Sequence, residues 1–282
     1  MATNADLKEQ QRRQWTGNAA GWDAIHDRLE RETAGVTSWL CREAGLAPGM
    51  RVLDLACGSG HPALDIARLV SPRGSVVATD LVPEMVEATA RRAQAAGLDN
   101  LEGLVMDAEA MDYPDASFDA VTCRFGIMFC PQPDVAVGEV RRVLKAGGSF
   151  TMSVWDEPER SPAFTVVGEA LSRFGRPQAP VDFDVPSVYQ LAPPGKLQRL
   201  LEDAGFNPVR VEGLPMVWEF DSIEQLWERQ TTRMGPLRTL SQELPPAEID
   251  RLKSLLGTAI EPYVADGVIR LPVRPLCAVG TK

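Results

Sequence analysis

Arg51-Val-Leu-Asp-Leu-Ala-Cys-Gly-Ser-Gly60 is the stretch on which the reading of this chain turns. Residues 52–56, apolar apart from Asp54, form a short run that leads into glycines. A strand buried on both faces of a parallel sheet reads this way. The glycines let the backbone turn tightly and approach a ligand closely. Residues 61–70 then continue as a helix. Open α/β sheets bind ligands beyond the carboxyl ends of their strands, at the topological switch point. This strand–turn–helix corner is therefore the expected binding place.

Outward from that corner the pattern repeats. Residues 74–80 read as a second strand and 83–96 as a helix, with Pro83 in its first turn and Gly97 as its stop. Residues 101–106 form a third strand, 118–123 a fourth, and 149–155 a fifth. Between the last two, 134–144 is a helix stopped by Gly147 and Gly148. Five alternations argue for a doubly wound α/β fold with a mostly parallel sheet and right-handed connections. Upstream, 7–45 is amphipathic and charged, and reads as two or three helices. After Asp156 the alternation breaks. Residues 158–194 are proline-rich, 196–204 form a helix stopped by Gly205, and 209–220 form a strand kinked at Pro215. Residues 221–265 read as helices and 268–280 as a last strand. The organisation expected is an N-terminal helical lid over 1–50 and a nucleotide-binding core over 51–156. Residues 157–282 then supply cap helices over the ligand mouth, plus the last core helix and strands.

The totals narrow the partners. Of 282 residues, 44% are hydrophobic and 24% charged, which suits an ordinary globular chain. The formal net charge of -10 argues against a nucleic-acid partner, whose binding depends on neutralising phosphates. Arg91, Arg92, Arg141 and Arg142 read as ordinary helix faces. No apolar run is long enough for a membrane helix, and residues 1–14 carry no apolar signal core, so the cytoplasm is the expected setting. The five cysteines are scattered without a CxxC pair, and only His26 and His61 are histidines, so no metal site is expected. The oligomeric state is open between monomer and homodimer.

A glycine turn after a strand also serves nicotinamide enzymes, so the carboxylates must decide. Asp54 lies inside an apolar strand, where an unpaired charge is costly. Its partner is either the glycine-turn N–H groups or a cationic ligand; a purely structural cap is the plainer alternative. Asp80 ends the second strand about 20 residues past the glycines, where a carboxylate grips both ribose hydroxyls. Asp107 ends the third strand, placed to accept from an adenine amino group. A pyrophosphate wants cations near the turn, and the sequence offers none there. A sulfonium-bearing nucleoside suits an acidic lining better.

Val52-Leu-Asp-Leu-Ala-Cys-Gly-Ser-Gly60, Val77-Ala-Thr-Asp80, Met106-Asp-Ala108, Ser117-Phe-Asp-Ala-Val121 and Leu144-Lys-Ala-Gly-Gly148 stand in order. Together they resemble the motifs of class I S-adenosylmethionine (SAM)-dependent methyltransferases, closest to the ubiquinone/menaquinone-biosynthesis and natural-product group. The resemblance covers about residues 51–155 and weakens toward Trp15, Trp22 and the C-terminal part. It implies a Rossmann-like seven-stranded sheet, SAM as cofactor and S-adenosylhomocysteine as product. Asp54, Cys57, Gly58, Ser59 and Gly60 would form the turn at the methionine part. Asp80 would bind the ribose with Leu81 beside it. Met85 would pack on the adenine, unless it is simply core, and Asp107 and Ala108 would hold the adenine edge. Arg124 and Phe125 would line the methyl-transfer site, with Trp15 and Trp22 as lid residues near SAM or substrate.

The catalytic candidates are His61, which follows the glycines directly, and His26 on the lid; each is also readable as a residue without chemistry. Asp156 is a weaker candidate for a base. The expected activity is methyl transfer to a small apolar or aromatic metabolite. The alternatives are an NAD(P)-dependent oxidoreductase and a non-methylating SAM-binding protein. No Tyr-x-x-x-Lys pair supports hydride chemistry. Cys130-Pro131 reverses the order of the cytosine-methylating nucleophile motif.

Overall fold

A computed structural model describes residues 3–232 and 236–282. Residues 233–235, within the stretch expected to be helical, lie outside the described residues, as do the first two of the expected lid.

The elements in chain order are α1 (Asn4–Ala24), α2 (His26–Glu43), β1 (Arg51–Leu55), α3 (Ala63–Val70), β2 (Ser75–Asp80) and α4 (Pro83–Ala95). β3 (Leu101–Val105), β4 (Phe118–Arg124), α5 (Pro133–Val143), β5 (Leu144–Trp155), α6 (Pro162–Phe174) and α7 (Lys196–Asp203) follow. The chain then forms β6 (Val209–Gly213), β7 (Met216–Phe220), α8 (Ile223–Thr232), α9 (Pro236–Glu243) and α10 (Pro246–Ile260). It ends with β8 (Val264–Ala265), β9 (Val268–Val273) and β10 (Pro275–Thr281).

Two compact units result. The first comprises residues 1–155, 183–214 and 275–282. Its seven-stranded sheet has the order β3-β2-β1-β4-β5-β10-β6. β1 pairs in parallel with β2 and β4, while β10 runs antiparallel between β5 and β6. The order reverses at β1, so the switch point lies beside the glycine turn. The apolar strand runs exist because helices cover both faces. Val52, Val76, Ala78 and Ala120 are almost fully buried with Ala63, Ile66, Ala67 and Val70 of α3. Asp54 and Thr122 interrupt this core as register partners on β1 and β4.

The second unit comprises residues 156–182 and 215–274. It holds α6, α8, α9, α10 and the three-stranded sheet β7-β9-β8. α6 packs on α10, burying Val166, Ala170 and Leu171 with Leu252 and Leu256. Arg229, 1% exposed, stacks its guanidinium 3.7 Å from the Trp218 ring centroid.

Three boundaries differ from the sequence reading. The strand expected over 209–220 is two strands, because Pro215 falls where the chain leaves one sheet for the other; β6 pairs with β10 and β7 with β9. The strand expected over 268–280 divides at Arg274 for the same reason. Gly147 and Gly148 do not stop the helix before them. α5 ends at Val143 because Leu144 is already extended (φ -71, ψ 141), and both glycines lie inside β5, where the Gly147 N–H donates to the Lys282 carbonyl at 2.8 Å. Among the described residues no helix is long and apolar enough to cross a membrane.

Candidate active site

The site is built at the carboxyl ends of β1 to β4. After β1 the chain enters Ala56 at φ +54, and the Cys57 N–H donates to the Thr79 carbonyl at 2.9 Å, tying the turn to β2. Gly60 sits at φ +131, a conformation open to glycine and few other residues. The Gly58 N–H donates to Asp80 Oδ2 at 3.0 Å, and the Val82 N–H to Asp80 Oδ1 at 3.1 Å. Asp80 thus clamps the glycine turn to the tip of β2. Burial raises its carboxyl to about 6, against the pull of those N–H groups.

Asp54 is fully buried. Its Oδ1 accepts from the Thr122 hydroxyl at 2.5 Å, and Oδ2 has no hydrogen-bond partner. Its partner is therefore a neighbouring-strand hydroxyl. Burial raises the carboxyl to about 7, opposed by the Thr122 hydrogen bond and the Arg124 charge. Cys57 points into the core, its thiol pushed well up by burial, so only its backbone is available to a ligand. Leu81 and Ala108 are half-buried at the tips of β2 and β3. Met85 is 2% exposed and packs with Val82, Ala19, Trp15 and Trp22.

The N-terminal helices lie along this row of tips. Lys8 reaches Asp107 Oδ2 at 2.6 Å and Glu109 Oε2 at 2.7 Å, a cation the sequence reading did not place there. The Glu109 N–H holds the other oxygen of Asp107 at 2.9 Å. Trp15 contacts Trp22 edge-on at 5.4 Å and Phe129 at 5.0 Å. Trp22 Nε1 comes within 3.5 Å of where a Cβ on Gly58 would stand. Asp23 pairs with Arg91 and Arg92 of α4. His26 Nδ1 meets the Ser59 hydroxyl at 3.0 Å, and its ring stacks on His61 at 4.8 Å. Burial, with the Arg92 charge, lowers the His26 imidazole to about 4.

Beyond β4, Arg124 turns toward α2. Its Nη1 donates to Glu30, Thr33 and Thr37 at 2.7, 2.8 and 2.7 Å. Phe125 (φ +60) stacks on Trp155 with centroids 4.1 Å apart. Gly126 permits this corner, since a Cβ there would stand 2.4 Å from the Ala56 Cβ. His61 Nδ1 lies 2.5 Å from Asp65 Oδ2 and 3.5 Å from Glu30 Oε2. Asp156, in the second unit, is bridged to Arg274 at 2.9 Å. All five cysteines are free thiols.

The corner thus gathers Asp54, Cys57, Gly58, Ser59, Gly60, His61, Asp80, His26 and Trp22. Asp107 stands one strand farther out, beneath Lys8. Lys8, Glu30, Asp65, Glu109 and Thr122 are the residues sequence reasoning missed. Only the i, i+4 spacing of His61 and Asp65 hinted at any of them.

A methyltransferase-domain family model matches residues 52–148. The Mycobacterium tuberculosis (strain H37Rv) protein Rv1405c is 31% identical over 242 residues, covering 82% of this chain and 81% of that protein. The chain belongs to the class I SAM-dependent methyltransferases. Demethylmenaquinone methyltransferase of Staphylococcus aureus (strain JH9) is 29% identical over 223 residues, 75% of this chain and 90% of that enzyme. Among solved structures, YcgJ from Bacillus subtilis has the same fold. Its TM-score is 0.57 at 22% identity, over 87% of this chain and 97% of that one. The nicotinamide alternative is set aside, and membership of this family makes SAM the cofactor. The residues present fit it: a buried carboxylate oxygen without a partner on Asp54, and carboxylates at the tips of β2 and β3.

In this methyltransferase α1 is tied to the β3 tip by ion pairs. The Lys8–Glu109 pair is the more buried, since the Glu109 side chain is 2% exposed. Lys8→Met is expected to remove about 1 kcal/mol from the docking of α1, the upper range for such a pair. Amide exchange across α1, followed by mass spectrometry, should then quicken roughly fivefold. Unchanged exchange would show that apolar packing at Trp15 and Trp22 holds α1 by itself.

Proposed function

We propose that this methyltransferase transfers the methyl group of SAM to a small apolar or aromatic metabolite, of the phenol or quinol class. The observation that carries this reading is the similarity to demethylmenaquinone methyltransferase over 90% of that enzyme, beyond the cofactor core. The mix of Phe, Met, Trp and Leu in residues 158–194 and 221–265 supports it. A nucleic-acid substrate fits poorly. The net charge is -10, and Arg91, Arg92 and Arg142 are already held by Asp23, Glu139 and Asp115.

In this reading Asp80 accepts from the ribose hydroxyls, and Asp107 and Ala108 face the adenine edge with Met85 and Leu81 beneath it. The backbone of Cys57, Gly58, Ser59 and Gly60 cradles the methionine part beside Asp54. Bound SAM would supply a methyl group on a sulfonium, from which the neutral thioether S-adenosylhomocysteine leaves readily. The residues' work is to orient the nucleophile and exclude water, and orientation is worth up to roughly 7–11 kcal/mol. Trp15, Trp22 and Phe125 supply apolar walls for that exclusion. His61 is the base for a phenolic or enolic proton. His26 stays neutral near physiological pH, at about 4, and its pKa is poorly matched to that task; it serves as a wall braced on Ser59.

The test is incubation of the protein and methyl-labelled SAM with a panel of phenols, naphthoquinols and cell metabolite extract. Label in an aromatic product, with stoichiometric S-adenosylhomocysteine, is the expected result. Turnover of a substrate without S-adenosylhomocysteine would point to the non-methylating alternative. Label in RNA or protein only would end the small-molecule reading.

A further inference from the structure

We infer that Asp65 fixes His61 in the tautomer that carries its hydrogen on Nδ1, leaving Nε2 as the nitrogen that can take a proton. The consequence for turnover rests on the reading of His61 as base. Two carboxylates converge on the same ring nitrogen: Asp65 Oδ2 at 2.5 Å and Glu30 Oε2 at 3.5 Å from Nδ1. An ionised carboxylate only accepts, so the nitrogen facing it must donate. Which nitrogen of a histidine bears the hydrogen is set by the bond the other group offers. Burial works against the Asp65 charge, but the hydrogen bond from His61 and the charges of Arg68 and Arg124 hold its carboxyl below the ordinary value.

The ring's orientation is fixed from three elements. From α2, His26 stacks on it at an interplanar angle of 26°, itself tied to Ser59. From α3, Asp65 holds Nδ1, steadied by Arg68 at 3.3 Å on its other oxygen. From the tip of β4, Arg124 holds Glu30 in place, anchored in turn on Thr33 and Thr37. A base whose ring is held this way presents one lone pair in one direction, which is what proton abstraction in a closed cleft needs.

The same three groups invite a second reading. Glu30, His61 and Asp65 offer donor atoms within 4.8 Å of one another, as a metal site would. Two observations weigh against it. Arg124 already places a cation 2.7 Å from Glu30 Oε2. The 2.5 Å contact between His61 and Asp65 is also shorter than the roughly 3 Å separating adjacent ligands around an ion with bonds of about 2.1 Å.

The experiment is long-range ¹H–¹⁵N correlation of the imidazole groups in the full chain, with His61 assigned by loss of its signals in His61→Ala. In the unsubstituted protein the neutral ring should show a protonated Nδ1 and a bare Nε2. Asp65→Leu removes the nearer acceptor, leaving Glu30 3.5 Å away and held by Arg124, and should bring in the Nε2–H form, with Asp65→Asn between the two. With a substrate in hand, kcat in Asp65→Leu should fall at least about tenfold at unchanged SAM affinity, part of the roughly 10²–10⁴ a positioned base contributes. A His61 already protonated on Nε2, or an unaltered tautomer in Asp65→Leu, overturns the inference. So does a zinc titration that shifts the His61 signals at one equivalent. If the tautomer result holds while His61→Ala stays fully active, the positioning stands and the base reading falls.

Discussion

His61→Ala is expected to lower kcat by roughly 10²–10⁴-fold, while SAM affinity stays within about twofold. The size follows from what is removed. His61 follows the glycine turn directly, and its Nδ1 is taken up by Asp65. Substitution leaves no neighbour able to replace it. His26 is lowered to about 4 and lies against Ser59, so it is a weak proton acceptor at the pH of the reaction. Asp65 and Glu30 are engaged with Arg68 and Arg124. The affinity should hold because the ring makes no part of the Asp80 clamp or the glycine cradle. Single-turnover transfer of labelled methyl, compared with calorimetric SAM binding, separates the two quantities. Full activity in the variant would mean the nucleophile arrives already ionised, and the site then works by orientation alone.

The strand–turn–helix corner was legible because its signals are local. β1 is a short apolar run, the glycines mark the turn, and Asp80 and Asp107 stand where strands end, so their places follow once the alternation is seen. The N-terminal segment was legible only as helices. Trp15, Ala19 and Trp22 share the side of α1 that packs on Val82 and Met85, but Lys8 sits among other charged residues, and no local signal joined it to Asp107 and Glu109, 99 and 101 positions away. The same is true of Glu30 and Arg124, whose pairing depends on the packing of α2 along the sheet. Pro215 showed only as a kink in one strand, and nothing marked the division at Arg274. A strand that crosses from one sheet to another can keep the same mixed pattern on both sides, and only its partners change. His61 with Asp65 is an intermediate case: the spacing was there to see, but His61 precedes α3, so helical geometry alone did not bring the two together.

The clamp at β2 carries the second large expectation. Asp80→Ala should weaken SAM binding by about 1–3 kcal/mol, roughly 5–150-fold, the loss expected when charge-assisted hydrogen bonds to ribose hydroxyls are removed. The binding should also depend on pH, with a definite sign. In the free protein burial holds the Asp80 carboxyl at about 6 and that of Asp54 at about 7. Ribose hydroxyls donate to the ionised form, and a sulfonium favours negative charge nearby, so the ligand binds the deprotonated site better. Affinity should therefore rise as pH increases through 6 and 7, and binding below that range should release protons. Stability of the free fold runs the opposite way. Because both folded values lie above the ordinary 3.8, the contribution is fully present below 3.8 and is lost as pH rises through about 6 and about 7. SAM should consequently raise the thermal midpoint little at pH 5 and most near pH 8. Calorimetry in buffers of different ionisation heat counts the protons, and the component centred near 6 should vanish in Asp80→Ala. An affinity flat from pH 5 to 8, with no proton released, would place the ligand's hydroxyls and charge away from both carboxylates.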